Sequence, residues 1–406
     1  MQSMKQKFQN VSADYWWLDV ARATAAFAVM AEHVRAFIFV DFGETSNQNW
    51  ACKLFYFVTG LGHQAVVVFF VLSGFLVGGQ VYALCSERRW SWSDYAIKRI
   101  GRLWTVLIPA LILTALWDRL GMALTHSGLY TGMLNGVYHS TPTQEGTVDI
   151  YSPFSFLMNC LFVQTVQLPI VGTIPTFGTN GPLWSLANEA WYYLLFPLIL
   201  LPLRSFRTPT ASAAIMLTLG LLICVVLPQT MVLSGSLWLM GVALFLFNRY
   251  VNVSRRACAI TALIAVPLFV GCLWRARTLG STSLESDLSV GISFSILLGC
   301  LIRIESAPKF TAALSKKFAD FSYTLYLTHF PLAAALACIV LNNQRLQPSL
   351  FADGIFCLAT ILLVVYAYVV YLLFERNTKN VQLAMKRRFS AWLPLSVGAL
   401  KAGGEP

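Results

Sequence analysis

The sequence predicts an all-α polytopic membrane protein with about ten transmembrane helices and one re-entrant or interfacial helix. Three observations carry that expectation. Of the 406 residues, 57% are hydrophobic and 12% charged, where a soluble chain has about a quarter charged. Apolar runs of bilayer length, about 20 residues each, recur along the whole chain. The net charge of +11 collects at the ends of those runs, a signature of membrane topology rather than of nucleic-acid binding. No room is left for a separate soluble domain.

By apolar length the spans fall at 16–39, 61–84, 103–124, 183–203, 210–227, 231–248, 257–273, 289–303, 320–341 and 353–374. One further run, 154–169, is short and polar-flanked. Placing the N-terminus inside puts Arg88, Arg89, Lys98, Arg99 and Arg102 inside as well. Arg204, Arg207, Arg249, Arg255, Arg256, Lys309, Lys316, Lys317 and the tail Lys379, Lys386, Arg387 and Arg388 then follow. This holds only if 154–169 does not cross, because a crossing there would send every later basic cluster outside. Both termini are therefore expected in the cytoplasm. Asp41, Glu44, Glu145, Asp149, Glu285 and Asp287 face outward, with Arg275, Arg277 and Arg345 as exceptions on that side. The expected division is a cytoplasmic N-terminus at 1–15, a transmembrane domain at 16–378 and a basic cytoplasmic tail at 379–406, of which the part after Asn380 is too short to span and mobile. Asp19, Arg22 and Glu32 interrupt any short apolar core, so the first run reads as a retained span rather than a signal peptide.

The nine cysteines include no Cys-x-x-Cys pair, so neither a disulfide framework nor a zinc site is suggested. No His/Asp/Glu cluster has ligand spacing, and no metal is expected. The longest outer stretch, 125–182, holds His126, His139 and the segment PTFGTNGP at 175–182. It reads either as a connector or as a lid or acceptor-binding surface. The second is favoured because the segment Trp184–Glu189 directly follows.

The first span carries the most informative chemistry. An ionisable group near the bilayer centre costs about 2.5–3.5 kcal/mol on insertion scales, so it is kept only where it faces something polar. Arg22 and His33 lie eleven residues apart, close to three whole turns, which puts both on one helix face about 16 Å apart. His33, flanked by Glu32 and Arg35, could be a packing histidine. In a membrane span it reads better as a general base for a hydroxyl. Arg22 could be a snorkelling anchor, but its register with His33 favours gripping a phosphate or carboxylate.

The second span contains FFVLSGF at 69–75, where Ser73-Gly74 suits close helix approach. The basic loop ending in KRIGRLW offers Arg99 and Arg102, either as plain inside anchors or as ligands for an anionic cofactor. Glu189, early in the next span, is either a helix-start stabiliser or a carboxylate at the depth of His33, able to orient an imidazole. Trp184, Trp191 and Tyr192 suit an interface belt or sugar stacking. His329 stands mid-span before Pro331, where a loosened helix could expose backbone groups to a cavity. Glu375 reads as structure at the inner surface.

Taken together, the arginine–ten residues–histidine pattern, FFVLSGF, the basic loop, WSL followed by an acid, SYTLYLTHFPL and the terminal FE occur in that order over about 15–378. In this the chain closely resembles the acyltransferase-3 family of integral-membrane O-acyltransferases. The resemblance implies transfer of an acyl group, acetyl foremost, from acyl-CoA to hydroxyls of an extracytoplasmic glycan such as lipopolysaccharide O-antigen, exopolysaccharide, periplasmic glucan or peptidoglycan. It implies a bacterial inner-membrane location, acyl-CoA binding by Arg22 and catalysis by His33. Members often carry two acids in a row after the tryptophan–serine motif. Here Ala190 takes the second place, which leaves Glu189 alone. The expected assignment is His33 and Glu189 as catalytic groups and Arg22, Arg99 and Arg102 on the donor. Ser73, Trp184, Ser185, Tyr326 and His329 stand behind them, and the donor's acyl arm runs along the Arg22–His33 face. The rival expectation is a proton-coupled transporter or glycan flippase, which would show inverted repeats that the sequence lacks.

Overall fold

The computed structural model describes residues 16–134, 148–204, 210–278, 283–303 and 309–392. The chain is helical almost throughout. Helix α1 is Trp16–Ile38, α2 Trp50–Val58, α3 Gly62–Ser73, α4 Gly79–Ser86, α5 Trp92–Thr125, α6 Pro153–Cys160 and α7 Leu183–Arg204. The series continues with α8 Ala211–Val226, α9 Gln229–Tyr250, α10 Arg255–Thr278, α11 Leu284–Leu301, α12 Lys309–Asp320, α13 Ser322–Leu341, α14 Leu350–Leu373 and α15 Thr378–Trp392. One short hairpin, Gln167–Leu168 with Gly172–Thr173, is the strand content of the described residues.

Each of the ten predicted spans falls on a helix. Among the described residues, eight helical stretches are long and apolar enough to cross a membrane by composition. Helix α1 misses that criterion because of Asp19, Arg22, Glu32 and Arg35. Helix α8 misses it on length, since its 16 residues reach only about 24 Å. The run at 154–169 is an eight-residue helix followed by the hairpin, and eight residues make only about 12 Å of helix. It does not cross.

Burial separates the centre of the bundle from its perimeter. In the apolar window of α13, 78% of residues are buried inside the protein, against 17% for α10. Helix α13 packs on α1, α5 and α14, with Phe330, Leu325 and Ala334 in the core between them. Two glycines set the crossing of α3 with α9. A Cβ on Gly74 would lie 1.8 Å from Trp238 O, and one on Gly241 would lie 2.0 Å from Val71 O. Both sites thus admit only hydrogen, as the Ser73-Gly74 pair led us to expect. Between α3 and α4, residues Gly74–Gly78 form one π turn.

The two faces differ in charge. Asp94 with Lys386 at 2.7 Å and Arg102 with Glu375 at 2.6 Å bring the starts of α5 and α15 and the end of α14 to one face, the basic one. On the opposite face, Arg345 meets Asp41 at 3.0 Å and Glu44 at 3.4 Å, and Arg275 meets Glu285 at 2.6 Å. Two of the three basic exceptions predicted there are therefore paired with that face's acids. The tail is described only as far as Trp392, and that part is helical. Residues Thr378–Trp392 form an amphipathic helix on α5, with Gln382 Nε2 donating to Lys98 O at 3.0 Å. Its polar composition hid a packed face.

Candidate functional site

A cavity of about 570 Å³ opens among α1, α3, α5, α7, α13 and α15. It reaches the basic face at exposed Lys98 and half-buried Gln382. Arg22, Lys98, Arg99 and Arg102 line it, against the carboxylates of Glu189 and Asp320. That excess of cations in a cavity open to one face suits an anionic ligand.

Each arginine is held differently. Arg22 has Asp19 at 4.0 Å. Arg99 donates to Gln80 Oε1 and lies over the rings of Tyr95 and Tyr193, at 5.6 and 5.7 Å from their centroids. Arg102 pairs with Glu375, which is 3% exposed and also accepts Thr324 N–H at 3.1 Å and Thr324 Oγ–H at 2.5 Å. Glu375 is thus a buried anchor for a cavity arginine and for the first turn of α13.

Deeper in the cavity, Ser73 Oγ donates to Glu189 Oε1 at 2.6 Å and accepts Trp238 Nε1–H at 3.1 Å. The Tyr193 hydroxyl donates to the same carboxylate oxygen. Glu189 therefore faces two hydroxyls rather than the His33 imidazole it was expected to orient. Ser185 Oγ lies 2.7 Å from the Tyr326 hydroxyl, and Tyr326 donates to Pro182 O at 3.1 Å. Both residues line the cavity. Trp184 does not, and packs edge-on against Phe70.

His33 is partnered by His329, Nδ1 to Nε2 at 2.8 Å, with the rings stacked at 5.1 Å. His329 is fully buried, and its Nδ1 meets Leu325 O at 2.8 Å. A carbonyl oxygen only accepts, so His329 Nδ1 carries the proton and neutral His329 presents an Nε2 lone pair. His33 Nδ1–H then donates to it. The consequence is a His33 ring whose Nε2 is left as the lone-pair end of the chain.

The cavity does not follow the Arg22–His33 face. Arg22 lines it and His33 does not. Between them Ala25, Ala26, Val29 and Met30 are buried in helix packing, so the cavity turns from α1 onto α3, α7 and α13. It ends at Tyr326, one helical turn before His329.

Sequence reasoning missed Asp118. This residue is fully buried on α5 and accepts Thr179 N–H and Thr179 Oγ–H, both at 2.7 Å. The available signal was a carboxylate inside an apolar run. Gly178 has φ +58°, and a Cβ there would sit 2.4 Å from Asp118 Oδ2. Tyr151 lies beside this pair, and burial, then Asp118, hold its phenol above the usual range. Asn159 binds the same loop through Pro175 O at 3.0 Å and Phe177 N at 3.1 Å. The 175–182 segment is thus clamped to α5 and α6 rather than floating. His126 ends α5 in a left-handed conformation, and His139 lies outside the described residues.

A many-helix membrane bundle with a cation-lined cavity and an imidazole pair beyond it defines the class. The sequence matches the acyltransferase-3 family, described as an acyltransferase domain, over residues 15–369, and the chain belongs to that family. It is 25% identical over 202 residues to nodulation protein 10 of Rhizobium leguminosarum bv. viciae, covering 50% of this chain and 48% of the relative. It is 27% identical over 144 residues to an uncharacterized protein of Haemophilus influenzae, covering 34% of this chain and 50% of the relative. The chain thus spans about half the length of these curated relatives. No solved structure matches.

Proposed function

We propose that this protein is an integral-membrane O-acyltransferase that moves an acyl group, acetyl foremost, from acyl-CoA to a hydroxyl of an extracytoplasmic glycan. The observation that carries the reading is the cation-lined cavity that starts on the basic face and stops one turn short of the His33–His329 pair. Positive residues favour the cytoplasmic side, so the basic face is assigned inward, in a bacterial inner membrane with both termini in the cytoplasm.

Donor phosphates lie against Lys98, Arg99, Arg102 and Arg22 at the inner mouth. The acyl thioester extends past Ser73 and Glu189 towards Tyr326. The glycan hydroxyl enters from the acidic face. His33 Nε2 takes its proton as the oxygen attacks the thioester carbonyl, and the tetrahedral intermediate expels the CoA thiolate. His33 returns the proton to that thiolate, closing the cycle with CoA thiol and O-acyl glycan. His329 holds the His33 ring in the tautomer that keeps Nε2 basic. Glu189 fixes the Ser73 and Tyr193 hydroxyls along the thioester path. No metal takes part in this scheme.

The test is the O-acetyl content of surface glycan in His33→Ala and Arg22→Ala strains with normal protein levels. The reading expects loss in both, and full acetylation in both would overturn it.

A further inference from the structure

The turn of α13 that carries Tyr326 and His329 lacks one of its own hydrogen bonds. Pro331 has no N–H, so the Leu327 carbonyl four residues earlier has no helical donor. Asn180 Nδ2 fills the gap, donating to Leu327 O at 2.9 Å and to Thr114 Oγ1 at 3.1 Å. Thr114 Oγ1 gives its own proton to Ala110 O at 2.8 Å, so it can only accept from Asn180. That fixes the amide orientation, with Asn180 Oδ1 buried and no partner for it among the described residues. The amide is thus aimed by Thr114 at the one carbonyl of α13 that Pro331 leaves without a helical donor. The neighbouring Thr179 is gripped by Asp118 through both its N–H and its hydroxyl.

We propose that Asp118, Thr179 and Asn180 form a positioning clamp in which Asn180 supplies, from the 175–182 loop, the hydrogen bond that Pro331 withholds from Leu327. The clamp sets the turn that holds His329 against His33. Its effect on turnover rests on the acyl-transfer reading; its effect on the helix does not.

The experiment is a double-mutant cycle on the full chain in lipid nanodiscs, with Asn180→Ala, Pro331→Ala and the two combined. Pro331→Ala restores an N–H at that position and makes the Asn180 donor redundant. Two quantities are read: melting temperature, and transfer of labelled acetyl from acetyl-CoA to glycan extracted from the host. Asn180→Ala should lower the melting temperature and cut kcat about ten-fold or more, with donor KM within about two-fold. In the Pro331→Ala background the same substitution should lower the melting temperature by less than half as much. Thr179→Val should reproduce the kcat loss, and Thr179→Ser should restore it. Equal melting losses in both backgrounds would overturn the clamp, whatever the activity. Thermal coupling without any transfer by the wild type would instead overturn the acyl-transfer reading and leave the clamp standing.

Discussion

Gly74→Ala adds one methyl group where α3 crosses α9, and the structure says what it must displace. The new Cβ would lie 1.8 Å from Trp238 O and 2.8 Å from Trp238 C, both backbone atoms. Ordinary van der Waals contact begins at 3.4 Å, so the helices must part by about 1.6 Å. No side chain can rotate to relieve this, because the obstacle is main chain. Overpacking of this kind costs about 1–3 kcal/mol, and a backbone clash belongs at the upper end. The retreat also draws Trp238 Nε1 from Ser73 Oγ, now 3.1 Å away, and loosens the hydroxyl that Glu189 holds. The assay pairs melting temperature with acetyl transfer in nanodiscs. We expect a large fall in both. Gly271→Ala is the matched control, since nothing lies within 4 Å of its Cβ position, and it should leave both unchanged or raise stability. A Gly74→Ala protein that melts and turns over like wild type would refute the packing argument.

Glu375→Gln keeps the volume of a buried side chain but takes the counter-charge from Arg102 at 2.6 Å. Arg102 retains 38% exposure, so the expected loss is about 1–3 kcal/mol, below that for a fully buried pair, read as a lower melting temperature with weaker donor KM. By contrast, Lys386→Ala breaks an ion pair whose side chains are 59% and 48% exposed, and its melting temperature should match that of wild type, because water screens such a pair. His329→Ala removes the acceptor for His33 Nδ1–H; turnover should fall about a hundred-fold while donor KM holds, and a change mainly in KM would count against the histidine chain.

The membrane helices were legible because bilayer thickness imposes a length that composition reveals directly. Helices α2, α12 and α15 were not, since each buries one face while its sequence stays amphipathic or polar. The residues of the cavity were legible one at a time: Arg22, Arg99, Arg102, Ser73, Ser185, Glu189 and Tyr326 all line it. Their partners were not. Register along one helix placed Arg22 and His33 on a common face, yet the space beside that face is filled by α3 and α13. Periodicity describes a helix and says nothing about what packs upon it. The Asn180–Leu327 bond spans 147 residues, and only the absent proton of Pro331 hinted that a remote donor was needed.

The π turn at Gly74–Gly78 has a bearing on how this chain tolerates length changes. Such a turn accommodates one residue more than an α turn, so it swivels everything after it by about 100°. Deleting a single residue there would yield an uninterrupted rod of nearly equal reach, still fit to traverse the bilayer. Gln80 would then swing off Arg99, its present hydrogen-bond donor, and Gly78 and Gly79 would leave their close seats against Trp238 and Phe245, so the deletion would spare the span's length and cost it both its packing and its hold on a cavity arginine.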